Sequence, residues 1–297
     1  MLKLDIDPRP QIAHLDITTR RLVATNFMGD YQSVFKGRGV IFESYRDYCP
    51  ADDASLIDWK ASTRAGKALI KEYVEERNLD VFFLIDASHT MVFGSQKKLK
   101  HEYAAEMVAS MAFAILDRGD SVGVGLFSDK VRGFLMPMHG IAQYRRIIRE
   151  LTESAHYDGP KCDLEEAVRA CLHRLPPQTL LILITDAVGW EGEWHLPLKI
   201  ANRKFEVIVI LVRDPRDDEL PSGVGQVAVE NPGTGEQLLL DTDHICEDYA
   251  RVAAEIKEHH IRVLHASGMT DVPVIRTDQE FPRHILAFFE RRKRKLR

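Results

Sequence analysis

An apolar run, Val81-Phe82-Phe83-Leu84-Ile85, ends in Asp86-Ala87-Ser88-His89-Thr90, which sets one carboxylate and two hydroxyls at alternate positions. Hard oxygen donors of this kind suit Mg²⁺ or Ca²⁺, and Mn²⁺ by the same preference. A second apolar run, Leu180-Leu181-Ile182-Leu183-Ile184, also ends in a carboxylate, Thr185-Asp186. Continuous apolar runs of this length read as strands buried on both faces of a parallel sheet. Open α/β sheets bind ligands just beyond the carboxyl ends of such strands, which is where Asp86, Ser88, Thr90 and Asp186 fall.

Other chemistries also start from a carboxylate at a strand end. Haloacid-dehalogenase-type phosphatases use D-x-D-x-T, and Ser88 stands where that pattern needs a second Asp as general acid. A metal-dependent phosphatase or hydrolase built on Asp86 is therefore the alternative reading. A receiver domain would need an acidic pair earlier and a lysine later in a much shorter chain. Neither G-x-x-x-x-G-K-[ST] nor G-x-G-x-x-G occurs, so nucleotide binding through those loops has no support. In the plainest reading Asp86 is a cap, and Ser88 and Thr90 satisfy turn amides. His89, His139 and His195 show no metal-ligand spacing, and His89 is expected to point away from the oxygen donors.

From residue 79 to 297 the chain alternates strand and helix. Lys98 to Asp117 reads as a helix with Ala104, Val108, Met111 and Ile115 on one face, closed by Gly119. Ser121 to Phe127 is a strand whose glycines imply close approach by neighbouring backbone, and Val131 to Leu135 a hairpin partner or edge strand. Ile141 to Leu151 is a helix. Asp163 and Glu166 form an Asp version of the capping box for the next one. Glu206 to Val212 is another apolar strand. A β-hairpin insertion near 222–243 is expected around the loop Asn231-Pro232-Gly233-Thr234-Gly235. A helix from about Cys246 to His265, an edge strand at Val272 to Ile275 and a helix from Phe281 to Arg292 follow. Alternating strands and helices imply right-handed crossovers and a mostly parallel sheet. Residues 1–78 are less regular and read as an accessory segment packed on that domain, with Leu69 to Val74 extended. Arg46, Asp52, Asp53, Asp58 and Arg64 are expected to form internal ion pairs that pin the segment to the domain, with Trp59 buried; a partner surface is the alternative reading.

The chain has 297 residues and a net charge of −5, which gives no bulk case for nucleic acid binding. The basic end, Arg291-Arg292-Lys293-Arg294-Lys295, reads as a solvated helix end that complements the helix dipole. The four cysteines, Cys49, Cys162, Cys171 and Cys246, form no C-x-x-C pair and suit a reducing compartment. No signal sequence and no apolar run long enough to span a bilayer is read, so the expected location is cytoplasmic, with no integral membrane segment.

The combination Phe42-Glu43, Tyr45-Arg46, Asp52-Asp53, Ile57-Asp58-Trp59, Thr63-Arg64 and Glu72, followed by D-x-S-x-T, resembles the family called domain of unknown function fifty-eight. Asp163-Leu164, Ile184-Thr185-Asp186 and Gly233-Thr234-Gly235-Glu236 leading to Asp241-Thr242 continue the match over nearly the whole chain. The resemblance implies a von Willebrand factor A-like fold: a doubly wound, mostly parallel sheet with helices on both faces. It also implies a metal-ion-dependent adhesion site in which Asp86, Ser88, Thr90 and Asp186 hold Mg²⁺. The family usually has Thr-Asp-Leu at the second metal loop, where this chain has Cys162-Asp163-Leu164. Cys162 or Asp163 would then fill that place, and a thiol is a soft ligand for a hard ion. Family members often carry N-terminal membrane helices, and none is expected here. The function implied is a non-catalytic protein-interaction adaptor. Its partner would be a MoxR-type AAA+ ATPase, in chaperone-like complex maturation, with an acidic residue of a protein ligand completing the metal shell. A structural interaction domain with a degenerate metal site is a further alternative.

Overall fold

The computed structural model describes residues 38–49, 52–76, 79–157, 159–190, 192–230 and 236–295. They divide into two compact units between Leu79 and Asp80.

In the first unit β1 (Arg38–Asp47) pairs antiparallel with β2 (Leu69–Glu76), and the connection carries a short helix, α1 (Trp59–Ala65). Asp58 starts α1: its carboxylate accepts the N–H groups of Lys60 at 3.0 Å and Ala61 at 3.1 Å, satisfying donors the helix cannot pair itself. Tyr45 donates its hydroxyl to the same carboxylate at 3.1 Å. Gly66, with φ of 69°, ends the helix in the left-handed conformation that glycine adopts without strain. Ser62 ties α1 to β2, donating to Asp58 O at 2.7 Å and accepting from Leu69 N at 2.8 Å. It takes the buried position of the helix. Trp59, expected to be buried, is 68% exposed instead, because it opens the first turn on the solvent side.

Arg46 holds Asp52 through two hydrogen bonds of 2.7 Å each, and Cys49 N donates to the same carboxylate at 2.9 Å. These donors, Arg46 first, push the Asp52 carboxyl down to about 2. A carboxyl-carbon NMR titration should place its midpoint near that value, and in an Arg46→Ala variant the midpoint should rise toward 3.8.

The second unit runs β3 (Asp80–Asp86), α2 (Lys100–Asp117), β4 (Ser121–Phe127), β5 (Val131–Met138), α3 (Ile141–Thr152), α4 (Leu164–Arg174), β6 (Leu180–Thr185), α5 (His195–Lys204), β7 (Glu206–Arg213), α6 (Pro215–Asp218), β8 (Gln226–Glu230), β9 (Gln237–Asp241), α7 (Thr242–Ala266), β10 (Val274–Arg276) and α8 (Phe281–Lys295). Six of the strands form one sheet in the order β10-β7-β6-β3-β4-β5. Its pairings are parallel except that of β5 with β4. The protein is thus α/β with a mostly parallel central sheet.

On one face Phe82, Leu84, Leu181, Leu183, Val207 and Val209 pack with Leu164 and Val168 of α4, Leu198 of α5 and Leu264 of α7. The intervening Val81, Phe83, Ile85, Ile182 and Ile184 are buried too, which covers the opposite face by the two-residue repeat of a strand. α2 is buried almost all round: Tyr103, Met107 and Ala112 are inside along with Ala104, Val108, Met111 and Ile115. The glycines of β4 make room as expected. A Cβ at Gly123 would lie 2.6 Å from Leu135 O and 2.7 Å from the Phe82 ring.

β8 and β9 form a separate antiparallel hairpin, and its expected five-residue loop lies outside the described residues. α7 begins at Thr242 rather than near Cys246. The reason is local: Asp241 accepts from Asp243 N at 3.2 Å, and the Thr242 hydroxyl donates to Gly225 O at 2.8 Å, so the cap sits at the end of β9. No described helix is long and apolar enough to cross a membrane.

Candidate functional site

β4 and β5 lie on one side of β3, and β6, β7 and β10 on the other, so the winding direction reverses between β3 and β6. The carboxyl ends of these two strands flank the crevice where such sheets take ligands. Their register is continuous, with Ile85 opposite Ile184. That alignment sets Asp86 beside Thr185 and Asp186, and all three are fully buried.

Each oxygen of Asp86 is held. Oδ1 accepts Ser88 N at 2.9 Å, and Oδ2 accepts the Thr185 hydroxyl at 2.8 Å. Burial, and then the charge of Asp186, raise the Asp86 carboxyl above the usual carboxylate range against those hydrogen bonds. Ser88 Oγ and Thr90 Oγ1 share a hydrogen bond of 3.0 Å, and Thr90 donates to Asp186 Oδ1 at 3.3 Å. Four of the residues singled out in the sequence, Asp86, Ser88, Thr90 and Asp186, are therefore brought together. Ala187, at φ of 57°, takes a left-handed conformation that is costly for a residue with a Cβ. The turn brings Ala187 N to Thr185 Oγ1 at 3.1 Å and Val188 N to Asp186 Oδ1 at 2.8 Å.

The second loop contributes Cys162. Packing around its sulfur, then the charge of Asp86, drive the thiol well above its ordinary value, so it stays protonated. Asp163 is spent elsewhere, capping α4 by accepting Glu166 N at 3.1 Å. The D-x-S-x-T loop is fastened to this loop through His89 N, which donates to Gly159 O at 2.9 Å. Gly159 has no room for a side chain: a Cβ there would lie 2.0 Å from Ser128 Oγ and 2.1 Å from Ser128 Cβ. Gly159→Ala should therefore cost about 1–3 kcal/mol by overpacking. It should also move the backbone amide resonances of residues 87–90, as denaturant melts and amide NMR would show.

No motif in the sequence points to Lys100, the first residue of α2. Its side chain is 1% exposed, with Nζ 2.7 Å from Asp186 Oδ2 and 3.1 and 3.0 Å from the two oxygens of Asp217. Burial works against the ammonium, yet Asp186 and Asp217 outweigh it and hold Lys100 above its ordinary value. Arg213 extends the network, donating to Asp186 O at 3.2 Å and pairing with Asp218 at 3.2 Å, and Lys257 pairs with Asp218 at 3.0 Å. A run such as Lys97-Lys98-Leu99-Lys100 reads as a solvated face; only tertiary contact shows that its last lysine is inside.

The donor set can be weighed against a divalent cation. Hydroxyls at Ser88 and Thr90 and the carboxylate of Asp186 are of the right kind. Asp186, however, is already neutralised by an ammonium, and the second loop presents a protonated thiol. The residues present fit Mg²⁺ poorly.

A model of the family described as protein of unknown function DUF58 matches residues 44–259. The chain belongs to the DUF58 family. This DUF58 chain is 25% identical over 300 residues to the uncharacterized protein Rv1480 of Mycobacterium tuberculosis strain H37Rv, an alignment covering 99% of this chain and 93% of that protein. Among solved structures the DUF58 chain is similar to the conserved hypothetical protein BatB from Bacteroides thetaiotaomicron, at 16% identity and a TM-score of 0.45, covering 73% of this chain and 99% of that one. It is also similar to an aerotolerance-related membrane protein from Bacteroides fragilis, at 14% identity and a TM-score of 0.44, covering 73% and 99%.

Proposed function

We propose that the protein is a non-catalytic interaction module of the von Willebrand factor A type, acting in the cytoplasm with a MoxR-type AAA+ ATPase in chaperone-like complex maturation. The observation that carries the reading is the meeting of the D-x-S-x-T loop with Asp186 at the reversal of strand order, between β3 and β6. The partner comes from the family resemblance. The absence of catalysis fits the state of Asp86: it is 0% exposed and each oxygen accepts a hydrogen bond, so it is closed off from a phosphorus or carbonyl centre. Turnover of a generic phosphoester that Asp86→Asn abolishes would favour the hydrolase reading instead. The decisive experiment is sedimentation of the purified protein with a MoxR-type ATPase from the same genome, with and without nucleotide. Co-sedimentation that weakens on Thr90→Lys is the expected result; no association in any nucleotide state would overturn the reading.

A further inference from the structure

We infer that Lys100 takes the place of the divalent ion, so that this site is held together by an internal ammonium and works without metal. An ammonium has three N–H groups, and the oxygens of Asp186 and Asp217 within 3.1 Å account for all of them. Asp186 is left with Oδ1, which already takes Val188 N and the Thr90 hydroxyl. A divalent ion seated on Ser88, Thr90 and Asp186 would have to share one carboxylate with a fixed positive charge in a region where water screens little.

The surrounding charges are balanced in the same sense. Asp217 has Lys100, and Asp218 has Arg213 and Lys257. Asp86, the carboxylate not matched to a base in this network, is held by neutral donors from Ser88 and Thr185. The thiol of Cys162 fits the same picture, since a site with no hard cation to bind does not need a hydroxyl there. Lys100 opens α2, and α2 is buried on nearly every side, so the ammonium is fixed by the core of the sheet rather than by a mobile loop. The ligand of such a site meets a preformed hydrogen-bonding surface and not an open coordination position.

The inference goes beyond the proposed adaptor role, and its test uses no partner, so each can fail separately. Mn²⁺ titration of the full chain, followed by electron paramagnetic resonance, measures site occupancy directly, and thermal melts with and without Mg²⁺ check it. The wild-type protein is expected to show no saturable Mn²⁺ binding tighter than about 1 mM, the weak end for such sites, and no Mg²⁺-dependent rise in Tm. Binding that Ser88→Ala leaves unchanged lies elsewhere and agrees with the inference. Saturable binding that Ser88→Ala abolishes overturns it. The double variant Lys100→Met/Cys162→Thr frees Asp186 and restores a hydroxyl. If folded by circular dichroism, it should bind Mn²⁺ at least about tenfold more tightly than wild type, and Mg²⁺ should raise its Tm. A folded double variant with wild-type Mn²⁺ affinity would also overturn the inference. If it does not fold, the wild-type titration decides alone.

Discussion

Replacing Lys100 by Met is expected to lower stability at pH 7 by about 3–5 kcal/mol, the usual cost of removing one partner from a buried ion pair. The loss comes mostly from what is left behind. Asp186 is 0% exposed and Asp217 11% exposed, and without the ammonium both carboxylates stay inside with the Lys100 ion pair gone. Methionine preserves the length and bulk of the side chain, so packing contributes little. The pH dependence carries a sign that packing would not. Lys100 has its folded-state value raised above the ordinary 10.5, so its stabilising effect is complete below 10.5 and disappears as pH climbs through the raised folded value. The urea melting curves of wild type and Lys100→Met should stay apart from neutral pH to about 10 and converge above that. A constant gap at all pH values would mean that the lysine acts through its methylenes alone.

The second large effect lies under β4. Phe82→Ala should cost about 3–5 kcal/mol, since the ring is fully buried and its removal leaves a cavity in a sheet packed on both faces. The ring packs against Phe134 with centroids 4.7 Å apart and planes tilted by 33°, and fills the groove that Gly123 and Gly125 leave open. A Cβ at Gly125 would fall 2.9 Å from Phe82 Cζ, so Gly125→Ala alone should cost about 1–3 kcal/mol. In a Phe82→Leu background, where the far edge of the ring is absent, the same change should cost much less. A double-mutant cycle in guanidinium should therefore return a coupling of about 0.5–3 kcal/mol between residues 82 and 125. Additive losses would show that the glycines serve the backbone of β5 and not the ring.

Much of this architecture can be read from the chain because burial on two faces demands continuous apolar runs. Val81 to Ile85 and Leu180 to Ile184 announce themselves as central strands, and the carboxylates that end them fall in the crevice between β3 and β6. The glycines of β4 likewise signal close packing before any neighbour is known. What stays hidden depends on partners distant in sequence. Lys100 sits among lysines that water would normally claim, and its burial follows from Asp186 and Asp217, 86 and 117 residues away. Nothing in the sequence around Gly159 signals its tight fit, which comes from Ser128, 31 positions away along the chain. Trp59 misleads in the other direction: a large aromatic is expected inside, yet Ser62 holds the inward position of a seven-residue helix. The start of α7 is misread for a local reason, because Asp241 serves both as the last residue of β9 and as the cap.

The separation between Lys100 and its two acids also fixes when their contact can form. The ammonium reaches Asp186 only once β3 has paired with β6, and Asp217 only once β7 has joined β6. Closing loops of that length is costly in entropy, so parallel pairings of this kind form slowly, and the side-chain contact that depends on two of them is expected to be completed last. An interaction completed after the rate-limiting step leaves the speed of folding almost untouched and acts on the lifetime of the folded chain. In stopped-flow chevrons Lys100→Met should shift the unfolding limb upward and leave the refolding limb nearly in place. The buried lysine is then a latch on the finished sheet, setting how long the crevice persists once made.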